Sequence, residues 1–225
     1  MNFIREKLKL VDNPDIHQVN ESSRRYYETE YGKFTSITTV LGAMSDKTGL
    51  YKWRNCVGNE EANRESRIAA GIGKVTHKLI EDYLHNLPLQ KSKNPIAQMS
   101  FEAIKPVLDQ RFGKVYAIEQ KLFSKELRVA GTVDCIAEFD GKLSIIDFKT
   151  SKRLKKLEYI ENYLMQETAY SLMIQDMSHG KHVIDQLVTL IAVRESKIPQ
   201  IFIESREDWM KKTIRTINLY HKEYQ

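Results

Sequence analysis

The stretch VAGTVDCIAEFDGKLSIIDFKT, residues 129 to 150, limits the fold more than any other. Two apolar runs flank Asp140-Gly141, a two-residue signal for a tight β-hairpin turn. In a strand, residues two apart share a face, so Asp147 and Lys149 project together while Ile146 and Phe148 point the other way. Charges inside an apolar strand need compensation, because an unpaired buried charge costs several kcal/mol. A salt bridge at the exposed end of the strand is the plain reading. The hairpin offers another. Asp134 lies six residues before Asp140, and Asp147 six after Gly141, so folding at the turn brings the two carboxylates near each other across the ladder. Like charges ~4 Å apart repel by roughly 4 kcal/mol at an effective dielectric of ~20. A divalent cation between them relieves this, or one carboxyl stays protonated. Carboxylate oxygens suit Mg²⁺ or Mn²⁺. Lys149 adds a compact positive charge for a phosphate or a developing oxyanion.

The rest of the chain alternates between the two periods of regular structure. Residues 60 to 86 read as a long helix, with Ile68, Ile72, Val75, Leu79 and Tyr83 at three- and four-residue steps. LPLQKSKNP (87 to 95) reads as a loop, and the helix after it, to Phe112, is expected to bend or break near Pro106. KVYAIEQKLFS, LRVAGTVDCIAEFD and KLSIIDFKT are strands by pattern, ENYLMQETAYSLMIQDM is a helix, VIDQLVTLIAVRE and IPQIFIES are strands, and a last helix starts near Glu207. SITTVLGAM (36 to 44) suits a helix start or a short strand. The expectation is an α/β fold: a mixed central sheet of about five strands flanked by helices, with a helical N-terminal extension. The division expected is 1–60 as an N-terminal extension packed on the core and 61–225 as the core.

Four short motifs in order resemble the PD-(D/E)XK nucleases, in their RecB-like branch. GTVD (131 to 134) followed by DFKT (147 to 150) looks like the catalytic core. GKVTH (73 to 77) looks like the upstream G-x-x-x-H element, and QETAY (166 to 170) like the downstream Q-x-x-x-Y element. FTSITTVL (34 to 41), the Trp53 region and the helix into His77 resemble the mitochondrial genome maintenance exonuclease family and its phage relatives. Thr35 stands where that family usually has Pro.

The resemblance implies a restriction-endonuclease-like core and assigns roles. Asp134, Asp147 and His77 hold one or two Mg²⁺ or Mn²⁺ ions, joined by the backbone carbonyl of Phe148 and by Glu119. Lys149 orients the attacking water and steadies the phosphate. Gln166 and Tyr170 stand beside the catalytic pair. Each has a plain alternative. A lone helical His is commonly a satisfied or surface residue, Glu119 a solvated strand residue, and Gln166 and Tyr170 share a face on any helix. Gly73 lies four residues before His77 on the same face. A mid-helix Gly costs ~1 kcal/mol against Ala, which close approach of backbone or substrate would explain. Glu81, one turn past His77, is a candidate to orient the imidazole.

The formal charge of +5 favours an anionic partner only weakly. Basic grooves lined with stacking aromatics grip single strands. Tyr26, Tyr27, Tyr31, Phe34 and Trp53, mixed with Arg24, Arg25, Lys33, Lys52 and Arg54, have that composition; a satellite core with a solvated rim has it too. Ser36, Thr38 and Thr39 suit a phosphate at a helix start. Lys74, with Gly73, and the cation-rich run KTSKRLKK (149 to 156), including Thr150, Ser151 and Lys152, suit phosphate tracking.

The function expected is metal-dependent hydrolysis of DNA, of single strands from a free end, in replication, recombination or repair, with proteins of those processes as possible partners. An endonuclease or duplex-dependent exonuclease on the same core is the alternative within enzymes. A DNA-binding module without catalysis is the alternative outside them. Two cysteines, Cys56 and Cys135, cannot supply the four ligands of an iron–sulfur cluster; a disulfide is the alternative to the expected free, buried thiols in a reducing compartment. No apolar run reaches the roughly 18 residues of a membrane span, and no secretory signal or transit peptide is read at the N-terminus. The location expected is therefore intracellular and soluble: bacterial cytoplasm for a phage protein, ahead of a mitochondrial matrix.

Overall fold

The hairpin at Asp140-Gly141 forms. β5 (Val129–Phe139) pairs antiparallel with β6 (Lys142–Ser151), closing at Phe139 and Lys142. Asp140 and Gly141 have φ of 51° and 75°, the left-handed pair that a type I′ turn requires. The computed structural model describes residues 2–10, 15–22 and 24–224. In order, the other elements are β1 (His17–Glu21), β2 (Arg24–Thr29), β3 (Gly32–Ser36), α1 (Ile37–Met44), α2 (Thr48–Val57), α3 (Asn59–Leu84), α4 (Pro95–Arg111), β4 (Phe112–Ser124), α5 (Glu161–Met177), β7 (Gln186–Val193), β8 (Gln200–Ser205) and α6 (Arg206–Tyr224).

The fold class is the expected one: a mixed sheet with helices on both faces. Ile146, Phe148, Val188 and Leu190 pack with α3 and α4 through Leu79, Ile80, Leu84, Phe101 and Ile104. Ile136, Ile145 and Leu187 pack on the other face with Val40, Met173, Ile174 and Ile217 of α1, α5 and α6. Fully burying one such side chain contributes ~1.5–3 kcal/mol, so these two layers hold the sheet in place. α5 connects β6 to β7, which lie parallel, as a helical crossover allows.

The sheet is larger than expected. It runs β1-β2-β3-β5-β6-β7-β8, with β4 also on β5, eight strands in place of about five. The additional three form the N-terminal meander, so the extension opens with strands and becomes helical only at α1. Their sequences are polar and short, with Tyr27 and Phe34 the buried aromatics among them, and carry no clean alternation. Pairing decided them, not local pattern. The segment 36 to 44 combines both readings: Ser36 ends β3 and α1 begins at Ile37. Pro106 does not interrupt α4; the helix continues to Arg111. Pro106 lies on the exposed face, where water can take the carbonyl that its ring leaves free. Among the described residues, no helix is long and apolar enough to cross a membrane.

Candidate active site

The site lies where the sheet forks. β3 pairs with β5 at Val129 and Ala130, and β6 pairs with β5 from Cys135 to Phe139. Among the described residues, the GTVD stretch between has no ladder partner on that edge. Continuing the register would set Val133 against Phe148. Instead Asp134 Oδ2 accepts the Phe148 N–H at 2.9 Å, so a carboxylate replaces a main-chain carbonyl and the strands part. Gly131 belongs to the same opening. A Cβ there would lie 2.6 Å from Tyr170 Cε1 and 3.2 Å from Ile37 Cγ2. Neither a buried ring nor a core isoleucine can retreat far. Gly131→Ala is therefore expected to destabilise the protein by ~1–3 kcal/mol, read as a lower thermal midpoint.

Three predicted ligands meet on the α3 side of the fork. One ligand atom each from His77, Glu119 and Asp134 lies within 4.8 Å of the others. His77 Nε2 donates to the Phe148 carbonyl at 2.6 Å. Its Nδ1 faces Asp134 Oδ2 across 3.6 Å, a nitrogen and a carboxylate oxygen turned toward one place. Glu119 reaches this place through an irregular backbone: its φ of 49° is left-handed, uncommon for a non-glycine in a strand. Desolvation, then the charge of Asp134, pushes its carboxyl up to about 7. His77, Glu119, Asp134 and Phe148 line one small pocket with Glu81, Ile80, Leu84 and Ile118. Glu81 bonds Lys78 at 3.2 Å rather than the imidazole.

Asp147 stands on the other side. It is 1% exposed and faces α5, where Gln166 Nε2 donates to Oδ1 at 3.2 Å and the Lys149 ammonium closes on Oδ2. It does not join the trio. Burial pushes its carboxyl up to about 6 even though Lys149 opposes the shift. Asp147 and Lys149 share a face as expected, with Ile146 and Phe148 opposite. Gln166 also donates to the Tyr170 hydroxyl at 3.1 Å, so these two act as a chain behind Asp147.

Sequence reasoning missed Glu167 and Tyr163. Glu167 is fully buried and accepts from the Thr189 hydroxyl, and Thr189 lies beside Asp147 in the parallel ladder. Burial first, then the charge of Asp147, holds this carboxyl well above its usual range. A Glu on the buried face of a helix, next to Gln166, was the available signal. Tyr163 lies under Lys149, whose Nζ is 4.9 Å from the ring centroid.

The nucleic-acid candidates divide. Tyr27 and Phe34 are core residues. Trp53 and Tyr51 are exposed on α2, a helix with no buried residue. Arg54 is tied to Asn59 at 3.3 Å and Asn63 at 2.7 Å. Ser36 is buried with its hydroxyl 2.8 Å from that of Thr38, and Thr39 Oγ1 accepts the Arg25 N–H at 3.2 Å. Gly73 faces Thr150, and an added methyl would meet its Oγ1 at 3.7 Å, an ordinary contact. The protein itself does not require glycine there. Lys74 is exposed, Ser151 half-buried, and Lys152 exposed 3.7 Å from Glu65.

A sequence profile of the PD-(D/E)XK nuclease superfamily matches residues 48–218. This chain belongs to that superfamily. The matched span contains the fork, the His77–Glu119–Asp134 cluster and the Asp147–Lys149 pair, and enzymes of this superfamily use divalent metals. Mitochondrial genome maintenance exonuclease 1 of Xenopus tropicalis is 36% identical over 132 residues, 55% of this chain and 38% of that protein. Its counterparts of the same name in Mus musculus and Homo sapiens are 35% identical over 86 residues and 32% over 85. Those two matches cover 38% and 37% of this chain and 25% and 24% of the relatives. The chain therefore spans less than half the length of the relatives it matches.

The donor set fits a divalent cation. Two carboxylates, one imidazole and a nearby carbonyl are mainly hard oxygen ligands, which suit Mg²⁺ and, with the nitrogen, Mn²⁺.

Proposed function

We propose that this protein is a Mg²⁺- or Mn²⁺-dependent deoxyribonuclease that hydrolyses single-stranded DNA from a free end, acting in replication, recombination or repair. The observation that carries this reading is the convergence at the fork of His77, Glu119 and Asp134, one strand away from Asp147 and Lys149. A divalent ion bound there would acidify a water and offset charge growing on the phosphate. The chain's own residues do the rest. Asp134 is fixed by the Phe148 N–H and His77 by the Phe148 carbonyl, so the ligands are oriented before anything binds. Gln166 holds Asp147. Lys149, 22% exposed at its side chain, presents its ammonium to a phosphate oxygen.

The single-strand preference is supported by α2. Leu50, Tyr51, Trp53 and Val57 are all exposed on one short helix that also carries Lys52 and Arg54. Bases stack on such side chains without regard to sequence. Trp53→Ala is expected to weaken single-strand binding by ~1–3 kcal/mol and to change duplex binding little, as read by fluorescence anisotropy.

End-labelled linear single strands, duplexes and closed single-stranded circles, each incubated with Mg²⁺ or Mn²⁺, test the activity. Shortening of linear single strands alone is the expected result. Cutting of circles would make the protein an endonuclease. No hydrolysis with either metal would leave a binding module.

A further inference from the structure

Lys149 has two partners, and only one of them has a role so far. Its ammonium meets Asp147 on its own strand and the face of Tyr163 on α5. Tyr163 sits in the first turn of α5, and with Gln166, Glu167 and Tyr170 occupies positions i, i+3, i+4 and i+7. One helical face thus holds both members of the strand pair: Gln166 takes the Asp147 carboxylate and Tyr163 takes the Lys149 ammonium. The ring is anchored in turn, packing against the small cluster of Ile160, Leu164, Ile191 and Val193.

We propose that Tyr163 is a positioning residue for Lys149, holding its ammonium by the ring face so that it stays aimed at the substrate phosphate. The inference rests on the nuclease reading above. Lysine carries a charge on a flexible four-carbon stem, so its direction must come from its partners. Asp147 is a poor sole partner. Its Oδ1 is taken by Gln166, and an ion pair through Oδ2 alone spends a donor hydrogen and does not fix the flexible stem. The negative face of an aromatic ring attracts the cation without using any of its three donor hydrogens in a conventional hydrogen bond. Those donors remain available to a phosphate oxygen. Tyr163→Phe should preserve this, because the face matters and the hydroxyl does not.

The test replaces Tyr163 by Phe, by Leu, and by phenylalanines carrying one, two and three ring fluorines, which weaken the ring's negative face with little change in size. Steady-state cleavage of single-stranded DNA is followed with Mn²⁺. Phe is expected to keep kcat within about twofold, and Leu to lower it about 10-fold at unchanged KM, the scale of a desolvated cation–π contact. Across the fluorinated series kcat should fall stepwise. A readout independent of activity is the Lys149 side-chain resonance in the metal-free protein. A ring-current upfield shift is expected in wild type and Tyr163→Phe, and none in Tyr163→Leu. A kcat that is flat across the fluorinated series, or a Leu variant as active as Phe, reduces Tyr163 to packing and overturns the proposal. If the wild-type protein cleaves nothing, the nuclease reading falls and takes this one with it.

Discussion

Lys149→Ala is expected to slow cleavage of single-stranded DNA about 10³-fold while leaving the Kd for DNA within about threefold, the usual scale for removing one donor aimed at a developing oxyanion. The side chain is only partly exposed, and its ammonium is held between Asp147 and Tyr163 at the mouth of the fork. It therefore contributes little to overall attraction for DNA, which many surface cations share. The loss should appear in kcat. Folding should survive. With the lysine gone, Asp147 is buried without a cation, and a carboxyl already lifted to about 6 will hold its proton more firmly still. Lys149→Arg should not rescue, because a planar guanidinium does not fit where a compact ammonium stands. Turnover within tenfold of wild type for Lys149→Ala would remove Lys149 from the reaction.

Asp134→Asn is expected to weaken Mn²⁺ binding by at least about 10²-fold in a calorimetric titration. Even outer partners of metal ligands cost 10- to 100-fold when lost, and a direct carboxylate adds the Coulombic attraction to the ion. The amide oxygen can still accept the Phe148 N–H, so the fork should persist and the loss should report charge. The same centre dictates the pH dependence. Desolvation pushes the Glu119 carboxyl up to about 7 and that of Asp147 up to about 6, both above the ordinary carboxylate range. Protons therefore compete with metal below pH ~7, and Mn²⁺ affinity should fall as pH drops from 7.5 to 5.5. The sign for stability is the reverse in the metal-free protein. The folded state holds these protons more tightly than the unfolded chain does. That contribution is full below the unfolded pKa values near 4 and is lost as pH rises through 6 and 7. The thermal midpoint of metal-free protein should be lower at pH 8 than at pH 5, and added Mn²⁺ should raise it most at pH 8. An Mn²⁺ affinity independent of pH over this range would remove Glu119 from the site.

What the chain alone determined is local and covalent in origin. The period-two alternation and Asp140-Gly141 set the hairpin, since a turn with two left-handed residues leaves few registers open. That same alternation put Asp147 and Lys149 on one face, and the four-residue helical step put Gln166 with Tyr170 and Gly73 with His77. Only the tertiary structure decided the rest. Whether Asp134 would face Asp147 or turn into the gap depended on where β3 and β6 share the edge of β5, and the β3 pairing joins residues more than 90 apart. Glu119 needed a left-handed backbone, Glu167 its burial against Thr189, and Tyr163 its place under Lys149. The N-terminal strands needed β5 to pair with. Short-range spacing follows from bond geometry and survives in any environment, whereas these contacts exist because apolar layers on both faces press distant segments together.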